Sequence, residues 1–111
     1  MTIVNRTKRV MLSENIKEAK AYQEKKRGLI GSDGKIGLTM KTRWGVHTFG
    51  MKFPIDILVL DKTNKVVKYK RNLKPGKIFF WNPLYNKVVE VPTALLPEGT
   101  VRIGDNVQTT S

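Results

Sequence analysis

The sequence predicts a mainly β fold, a small barrel or sandwich with one α-helix at about 14–27. Three observations lead to this prediction. Short apolar or alternating runs are separated by turn residues about every eight to twelve positions, as in sandwiches and barrels. Helical spacing of apolar residues occurs in one segment, before residue 28. The 111 residues fit a single β-rich domain, predicted over 1–107, with 108–111 as a flexible tail.

The N-terminal part is predicted to contain two short strands and the helix. Ile3-Val4 and Val10–Leu12 read as strands on either side of a polar turn. Ser13 is a candidate N-cap for the helix that follows. Cations occupy its last turn, where they suit the helix dipole, and Gly28 is expected to end it.

Strands are predicted for most of the remaining chain. Their apolar runs fall at 36–40, 44–49, 55–60, 66–69, 78–81, 88–91 and 101–103. Ile55–Leu60 is apolar on both faces except at Asp56, so it is expected to be a central strand. Asp61–Asn64 is a hairpin connection to the next strand, and Pro75-Gly76 has the residues of a type II turn.

The composition narrows the range of functions. The chain has no cysteine, which removes disulfides, thiolate zinc sites and a cysteine nucleophile. The single histidine and the scattered acids lack the spacing of a metal site, and no phosphate-binding loop is present, so no metal or cofactor is predicted. No apolar run is long enough to cross a membrane, and the start lacks a signal-peptide core. The expected location is the cytoplasm, unless a leader has been removed.

The net charge of +12 is the strongest functional indication in the composition, with 21 Lys and Arg against 9 Asp and Glu. A charge of this size attracts polyanions. The lysine-rich surfaces of thermophilic proteins are an alternative explanation, but they usually balance Lys with Glu, and this chain does not.

The positive charge is concentrated between Asp61 and Glu90, where no acid occurs. Aromatic residues are interleaved with the basic ones there, a pattern typical of proteins that bind single-stranded nucleic acid. The predicted binding residues are Lys68, Lys70, Arg71, Lys74, Lys77 and Trp81. Lysines on exposed hairpins also prevent aggregation through sheet edges, so a purely structural role stays open.

Two acids lie inside apolar strands, Asp56 and Glu90. With His47, the single histidine, they could form a pocket for proton transfer or for a small polar, sugar-like ligand. They could equally be structural, each holding backbone N–H groups or an arginine. No nucleophile motif accompanies them. Apolar residues nearby could form the core or line a cleft beside Asp56: Trp44, Phe49, Met51 and Phe53.

Several motifs resemble those of one family. They are Glu24–Gly31, the block with His47, Gly50, Met51, Pro54 and Asp56, Asn72–Pro75, Glu90–Pro92 and Gly104-Asp105. Together they resemble the bacterial and archaeal family named domain of unknown function 192. The chain departs from it at Thr93-Ala94, where the family favours Ala-Gly. The resemblance implies a compact, mostly β domain with one helix, and it implies no reaction.

The sequence thus favours a non-enzymatic binding module whose basic surface holds a polyanion such as single-stranded nucleic acid. The alternative is a small-ligand binder or a hydrolase-type enzyme with a pocket around His47, Asp56 and Glu90.

Overall fold

A mainly β fold is confirmed by the computed structural model, which describes residues 1–43 and 45–110, without the side chains of residues 22 and 26. The described strands are β1 (Thr2–Asn5), β2 (Val10–Ser13), β3 (Ile16–Ala19), β4 (Gly37–Lys41), β5 (Gly45–His47), β6 (Ile55–Leu60), β7 (Val66–Leu73), β8 (Ile78–Phe80), β9 (Lys87–Pro92) and β10 (Val107–Thr110). The helix α1 spans Tyr22–Arg27, and a 3-10 turn spans Thr93–Leu95. Neither of these described helices is long and apolar enough to cross a lipid bilayer.

Five strands form the central sheet in the order β3-β4-β9-β6-β7. β3 and β4 run parallel, and the other neighbours are antiparallel. Every residue of β6 is buried, which confirms Ile55–Leu60 as a central strand. The predicted connection at Asp61–Asn64 joins β6 to β7 as a hairpin.

Each face of the central sheet is covered by a smaller sheet. On one face, β1, β2 and β10 share a core with Leu58 and Val91. On the other face, β5 and β8 share a core with Ile57 and Val88. The sheets do not close into a barrel within the described residues. Of the two predicted forms, barrel and sandwich, the layered one is therefore observed.

The predicted helix at about 14–27 is wrong in its first half. Ile16–Ala19 is strand β3, with Ile16 opposite Gly37 in β4. The spacing of Ile16 and Ala19 fits a helix, but pairing with β4 satisfies the same backbone groups and buries both side chains. The helix α1 is therefore short, and it ends at Gly28 as predicted.

The predicted tail at 108–111 is a strand as far as Thr110. β10 pairs antiparallel with β1, and the register sets Thr2 opposite Thr110 and Asn5 opposite Val107. The polar sequence of this segment suits an edge strand because its solvent-facing side needs no apolar cover. The strand predicted at 101–103 is absent from this described region, which is a loop before β10.

Candidate functional site

Asp56 lies in the interior, where β6 meets β7. Its side chain is fully buried, and both of its oxygens accept hydrogen bonds. Oδ2 accepts from the Tyr69 hydroxyl and from Nη1 of Arg71, each at 2.7 Å. Oδ1 accepts from the backbone N–H of Asn72 at 2.9 Å and from the Thr93 hydroxyl at 2.6 Å. Asp56 therefore ties β6 to β7 and to the 3-10 turn.

The groups around Asp56 are engaged with one another. Nη1 of Arg71 also donates to the Leu96 carbonyl at 3.0 Å. Burial, followed by the hydrogen bond to Asp56, raises the pKa of Tyr69 to about 12, so its hydroxyl keeps its proton at neutral pH. A buried carboxylate with four donors is a satisfied group, which indicates a structural role.

The central sheet separates Asp56 from Glu90. Asp56 is opposite Val91 in the register of β6 and β9, and Ile57 is opposite Glu90. Cross-strand partners share a face, whereas successive residues of a strand point to opposite faces. The two acids thus lie on opposite faces, and His47, Asp56 and Glu90 do not form one pocket.

His47 and Glu90 do come together. They line a cavity of about 290 Å³ between α1 and β5. We call this the Glu90 cavity, and its lining residues are Lys25, Arg27, Gly28, Thr42, Gly45, Val46, His47 and Glu90. His47 is exposed at the cavity, whereas Glu90 is only 4% exposed. One buried carboxyl and two cationic side chains, Lys25 and Arg27, therefore line the same cavity.

The burial of Glu90 changes its acidity. Desolvation raises the pKa of this carboxyl to about 7, and a hydrogen bond to the backbone of Leu29 opposes this with a smaller lowering effect. None of the ion pairs among the described residues includes Glu90. At neutral pH the group therefore exists in both protonation states, so it can accept or donate a hydrogen bond.

Gly28 makes close backbone contact with Glu90 possible. A Cβ atom at Gly28 would lie 3.0 Å from Oε1 of Glu90, and the φ angle of Gly28 is +55°. Gly28→Ala should therefore lower the free energy of unfolding by about 1–3 kcal/mol, measured by urea denaturation. Gly31→Ala is the matched control because Gly31 also has a positive φ, yet a Cβ there meets nothing within 4 Å. Equal losses in the two variants would contradict any crowding of the carboxyl.

An exposed apolar surface adjoins the Glu90 cavity. β5 and β8 pair so that His47 is opposite Ile78 and Gly45 is opposite Phe80. These four residues face outward. Val46 and Phe79, the pair between them in the register, point to the other side and pack against the core. Ile78 is 53% exposed and Phe80 is 64% exposed.

Phe49 extends this surface beyond the end of β5. Its ring is 52% exposed and stacks on His47, with 5.4 Å between the ring centroids. We call the surface formed by His47, Phe49, Ile78 and Phe80 the aromatic shelf. The Glu90 cavity adjoins the shelf: His47 belongs to both, and Gly45 and Val46 of β5 border both.

The absence of a side chain at Gly45 lets the Phe80 ring lie against the backbone of β5. A Cβ atom at Gly45 would lie 2.9 Å from Cδ1 of Phe80 and 2.5 Å from the carbonyl oxygen of Phe79. The glycine therefore permits both the close strand pairing and the position of the ring.

Lys68 lies against the Phe80 end of the aromatic shelf. Its Nζ donates to the Phe80 carbonyl at 2.6 Å and lies 4.8 Å from the centroid of the Phe79 ring. These contacts hold an exposed ammonium group beside the shelf.

Thr48, which lies between His47 and Phe49, holds the loop with Lys74 and Lys77 at the other end of the shelf. The Thr48 hydroxyl donates to the Lys74 carbonyl at 2.7 Å, and the Thr48 backbone N–H donates to the Lys77 carbonyl at 2.8 Å. Thr48 is fully buried, and both lysines are exposed. The loop that carries them is therefore fixed at this end of the shelf.

The structure divides the binding residues that the sequence predicted. Lys68, Lys74 and Lys77 border the aromatic shelf, and Lys70 is exposed on β7. Arg71 is occupied by Asp56. Trp81 is a correction: it is 5% exposed, and its Nε1 donates to the Tyr85 carbonyl at 2.9 Å, so it is a core residue with no ring face for a ligand.

The apolar residues that were predicted to pack in the core or beside Asp56 are divided between the core and the surface. Met51 is buried and Phe53 is partly buried against the same core, whereas Phe49 is exposed. Trp44 lies outside the described residues. Ile78 and Phe80 were not predicted as members of a binding surface, and their only signal in the sequence is their two-residue spacing in a predicted strand. Within the described ranges no three His, Cys, Asp or Glu side chains meet, so no metal site is assigned.

Comparison with known proteins adds a family and a fold. The profile of the family DUF192, described as Uncharacterized ACR, matches residues 3–109. No curated protein matches the chain.

Two solved structures share the fold. A protein of unknown function from Novosphingobium aromaticivorans has a TM-score of 0.78 and 15% identity, over 97% of this chain and 82% of that one. A protein described as a "putative transcription regulator", from Sinorhizobium meliloti, has a TM-score of 0.77 and 13% identity, over 96% of this chain and 89% of that one. At these identities the likeness extends to the fold alone.

Proposed function

We propose that this chain, which belongs to the DUF192 family, is a non-enzymatic binding protein that holds single-stranded nucleic acid on the aromatic shelf. The observation that carries the proposal is the exposure of Phe49 and Phe80 between Lys68 and the loop that carries Lys74 and Lys77. Exposed rings beside basic groups are the general solution for binding single strands, because bases stack on the rings while phosphates meet the cations.

The charge distribution supports this partner. Residues 62–89 contain no acid and eight Lys or Arg. Among the described residues, Arg71 alone of these eight pairs with an acid. The lysines at the shelf are therefore available to phosphates. Unpaired cations in this number also give fast, salt-sensitive association with polyanions.

A single strand suits the shelf better than a duplex does. Bases in a duplex are stacked on each other, so their faces are not available to Phe49 and Phe80. The shelf lies on a short two-stranded sheet with solid core behind it, which gives stacked bases a rigid support.

A small polar ligand is the second candidate, favoured by the meeting of His47 and Glu90 in one cavity. Asp56 is not part of this second site, since it lies on the other face of the central sheet. The buried carboxyl could bind ligand hydroxyls of a sugar-like molecule.

Fluorescence anisotropy with a labelled oligothymidylate tests the first candidate. Phe80→Ala and Phe49→Ala should each weaken binding by roughly 5- to 150-fold, because one base–ring stack contributes about 1–3 kcal/mol. The wild-type affinity should fall with salt at a log–log slope of about −0.7 per phosphate contacted. Ile103→Ala is the matched control, since Ile103 is 67% exposed but lies in the loop before β10.

Charge reversal separates the shelf from the overall charge. Lys74→Glu should weaken binding more than Arg6→Glu does, although the charge change is the same. Arg6 is exposed between β1 and β2, in the sheet that covers the opposite face of the central sheet from β5 and β8. Equal effects of the two reversals would mean that only the net charge attracts the oligonucleotide, and the shelf would not be the binding site.

A further inference from the structure

The Glu90 cavity opens directly beside the aromatic shelf. His47 belongs to both, and Gly45 and Val46 of β5 border both. A strand whose bases stack on Phe80 and Phe49 therefore passes the mouth of the cavity. The volume of about 290 Å³ is at the low end for small-ligand sites, which suits a group no larger than one base.

The cavity combines two kinds of polar group. Lys25 and Arg27 line it on the side of α1, and Glu90 is part of its wall on the side of the central sheet. The described ion pairs leave Glu90 without a cationic partner, although both cations line the same cavity. A ligand that brings hydrogen-bond donors to Glu90 and a phosphate to both Lys25 and Arg27 would satisfy all three groups.

We propose that the Glu90 cavity takes one unpaired base of the bound strand and that Glu90 selects guanine by accepting hydrogen bonds from its Watson–Crick edge. This inference rests on the function proposed above and adds base selectivity to it. Guanine presents two adjacent donors, N1–H and the N2 amino group, which match the two oxygens of a carboxylate. Adenine and cytosine each set a ring-nitrogen acceptor beside their amino group, and thymine flanks its N3–H with two carbonyls. An ionised carboxylate meets repulsion from each of these three edges.

The proton on Glu90 controls this selectivity. A protonated carboxyl offers one donor and one acceptor, so it can pair with an adjacent acceptor and donor on any of the four bases and no longer singles out guanine. Since burial raises the pKa of Glu90 to about 7, the preference for guanine should be strongest at about pH 8 and weaken towards about pH 6. Lys25, Arg27 and His47 also line the cavity. His47→Gln is therefore measured in parallel.

The test compares oligothymidylates that carry a single guanine, hypoxanthine or adenine. At about pH 8 the guanine strand should bind roughly 5- to 100-fold more tightly than the adenine strand, with hypoxanthine between them because it lacks the N2 amino group. Glu90→Gln should remove this preference and, because it removes the charge that repels thymine, should not weaken the binding of plain oligothymidylate. The comparison of guanine with hypoxanthine needs no variant, so it stands even if Glu90→Gln folds poorly.

The outcomes separate this inference from the proposed function. If oligothymidylate binds through the shelf and guanine gives no advantage, the base selectivity is refuted and strand binding stands. If no strand binds, guanosine and adenosine monophosphates are compared directly by calorimetry. A preference for the guanosine nucleotide that Glu90→Gln removes would support the cavity without the shelf, and equal or absent binding would overturn it.

Discussion

Asp56→Asn is expected to lower the free energy of unfolding by about 3–5 kcal/mol, the loss typical of removing one partner of a buried ion pair. The carboxylate accepts from Arg71 on one oxygen and from the Asn72 backbone N–H on the other. Neither donor can become an acceptor. Whichever oxygen the amide nitrogen replaces, two donors then face each other in the interior. Urea denaturation, followed by circular dichroism, measures the loss.

Two variants control this experiment. Asp33→Asn makes the same chemical change at an exposed acid and should alter stability by less than about 0.5 kcal/mol. Tyr69→Phe removes one of the four donors and should cost about 1 kcal/mol, since the remaining three still hold the carboxylate. A stable, fully folded Asp56→Asn protein would show that the carboxylate is not a structural cross-link, and a catalytic role would have to be reconsidered.

The central hairpin could be predicted because its signals are local. Ile55–Leu60 is apolar on both faces, and Asp61–Asn64 supplies turn residues directly after it. The structure confirms both. Gly28 ended the helix as predicted because a positive φ is a local requirement that glycine meets.

Elements that depend on distant partners could not be predicted in this way. Ile16–Ala19 has helical spacing, and only the edge of β4, some twenty residues later, makes it a strand. The polar residues before Ser111 carry no strand pattern, yet β1, about a hundred residues away, pairs with them. In both segments tertiary hydrogen bonding overrides the local preference.

The candidate site shows the same division. The sequence singled out Asp56 and Glu90 as acids in apolar strands, but their separation by the central sheet depends on the register of β6 against β9. The aromatic run from Ile78 to Trp81 likewise predicts a strand without showing which rings reach solvent. The pairing with β5 turns Phe80 outward, and Trp81 packs in the core.

Glu90 should make the protein more stable in mild acid than at neutral pH. The pKa of Glu90 is about 7 in the folded protein, against 4.5 for an unperturbed glutamate, and desolvation is the main cause. A raised pKa means that the folded state holds the proton more tightly than the unfolded state does. The stabilisation is therefore fully present below about pH 4.5 and is lost as the pH rises through about 7. The difference corresponds to about 3 kcal/mol, at about 1.4 kcal/mol per tenfold change in proton affinity.

Glu90→Gln isolates this contribution, because the amide has nearly the shape of the carboxyl and does not titrate. Urea midpoints of the two proteins should nearly coincide at about pH 4.5, and the variant should be the more stable by up to about 3 kcal/mol near pH 8. Lys25, Arg27 and His47 line the same cavity in both proteins, so their direct effects cancel in the comparison.

Two other acids, Asp61 and Asp105, have lowered pKa values. The main cause for Asp61 is a hydrogen bond from the Thr63 hydroxyl. For Asp105, burial raises the pKa, but hydrogen bonds from Asn5 and other donors outweigh it. Their contributions are lost only below about pH 4, outside the compared range. Parallel pH profiles for the two proteins would mean that the Glu90 carboxyl is hydrated in the folded state, which would contradict the predicted weakening of the guanine preference between about pH 8 and about pH 6.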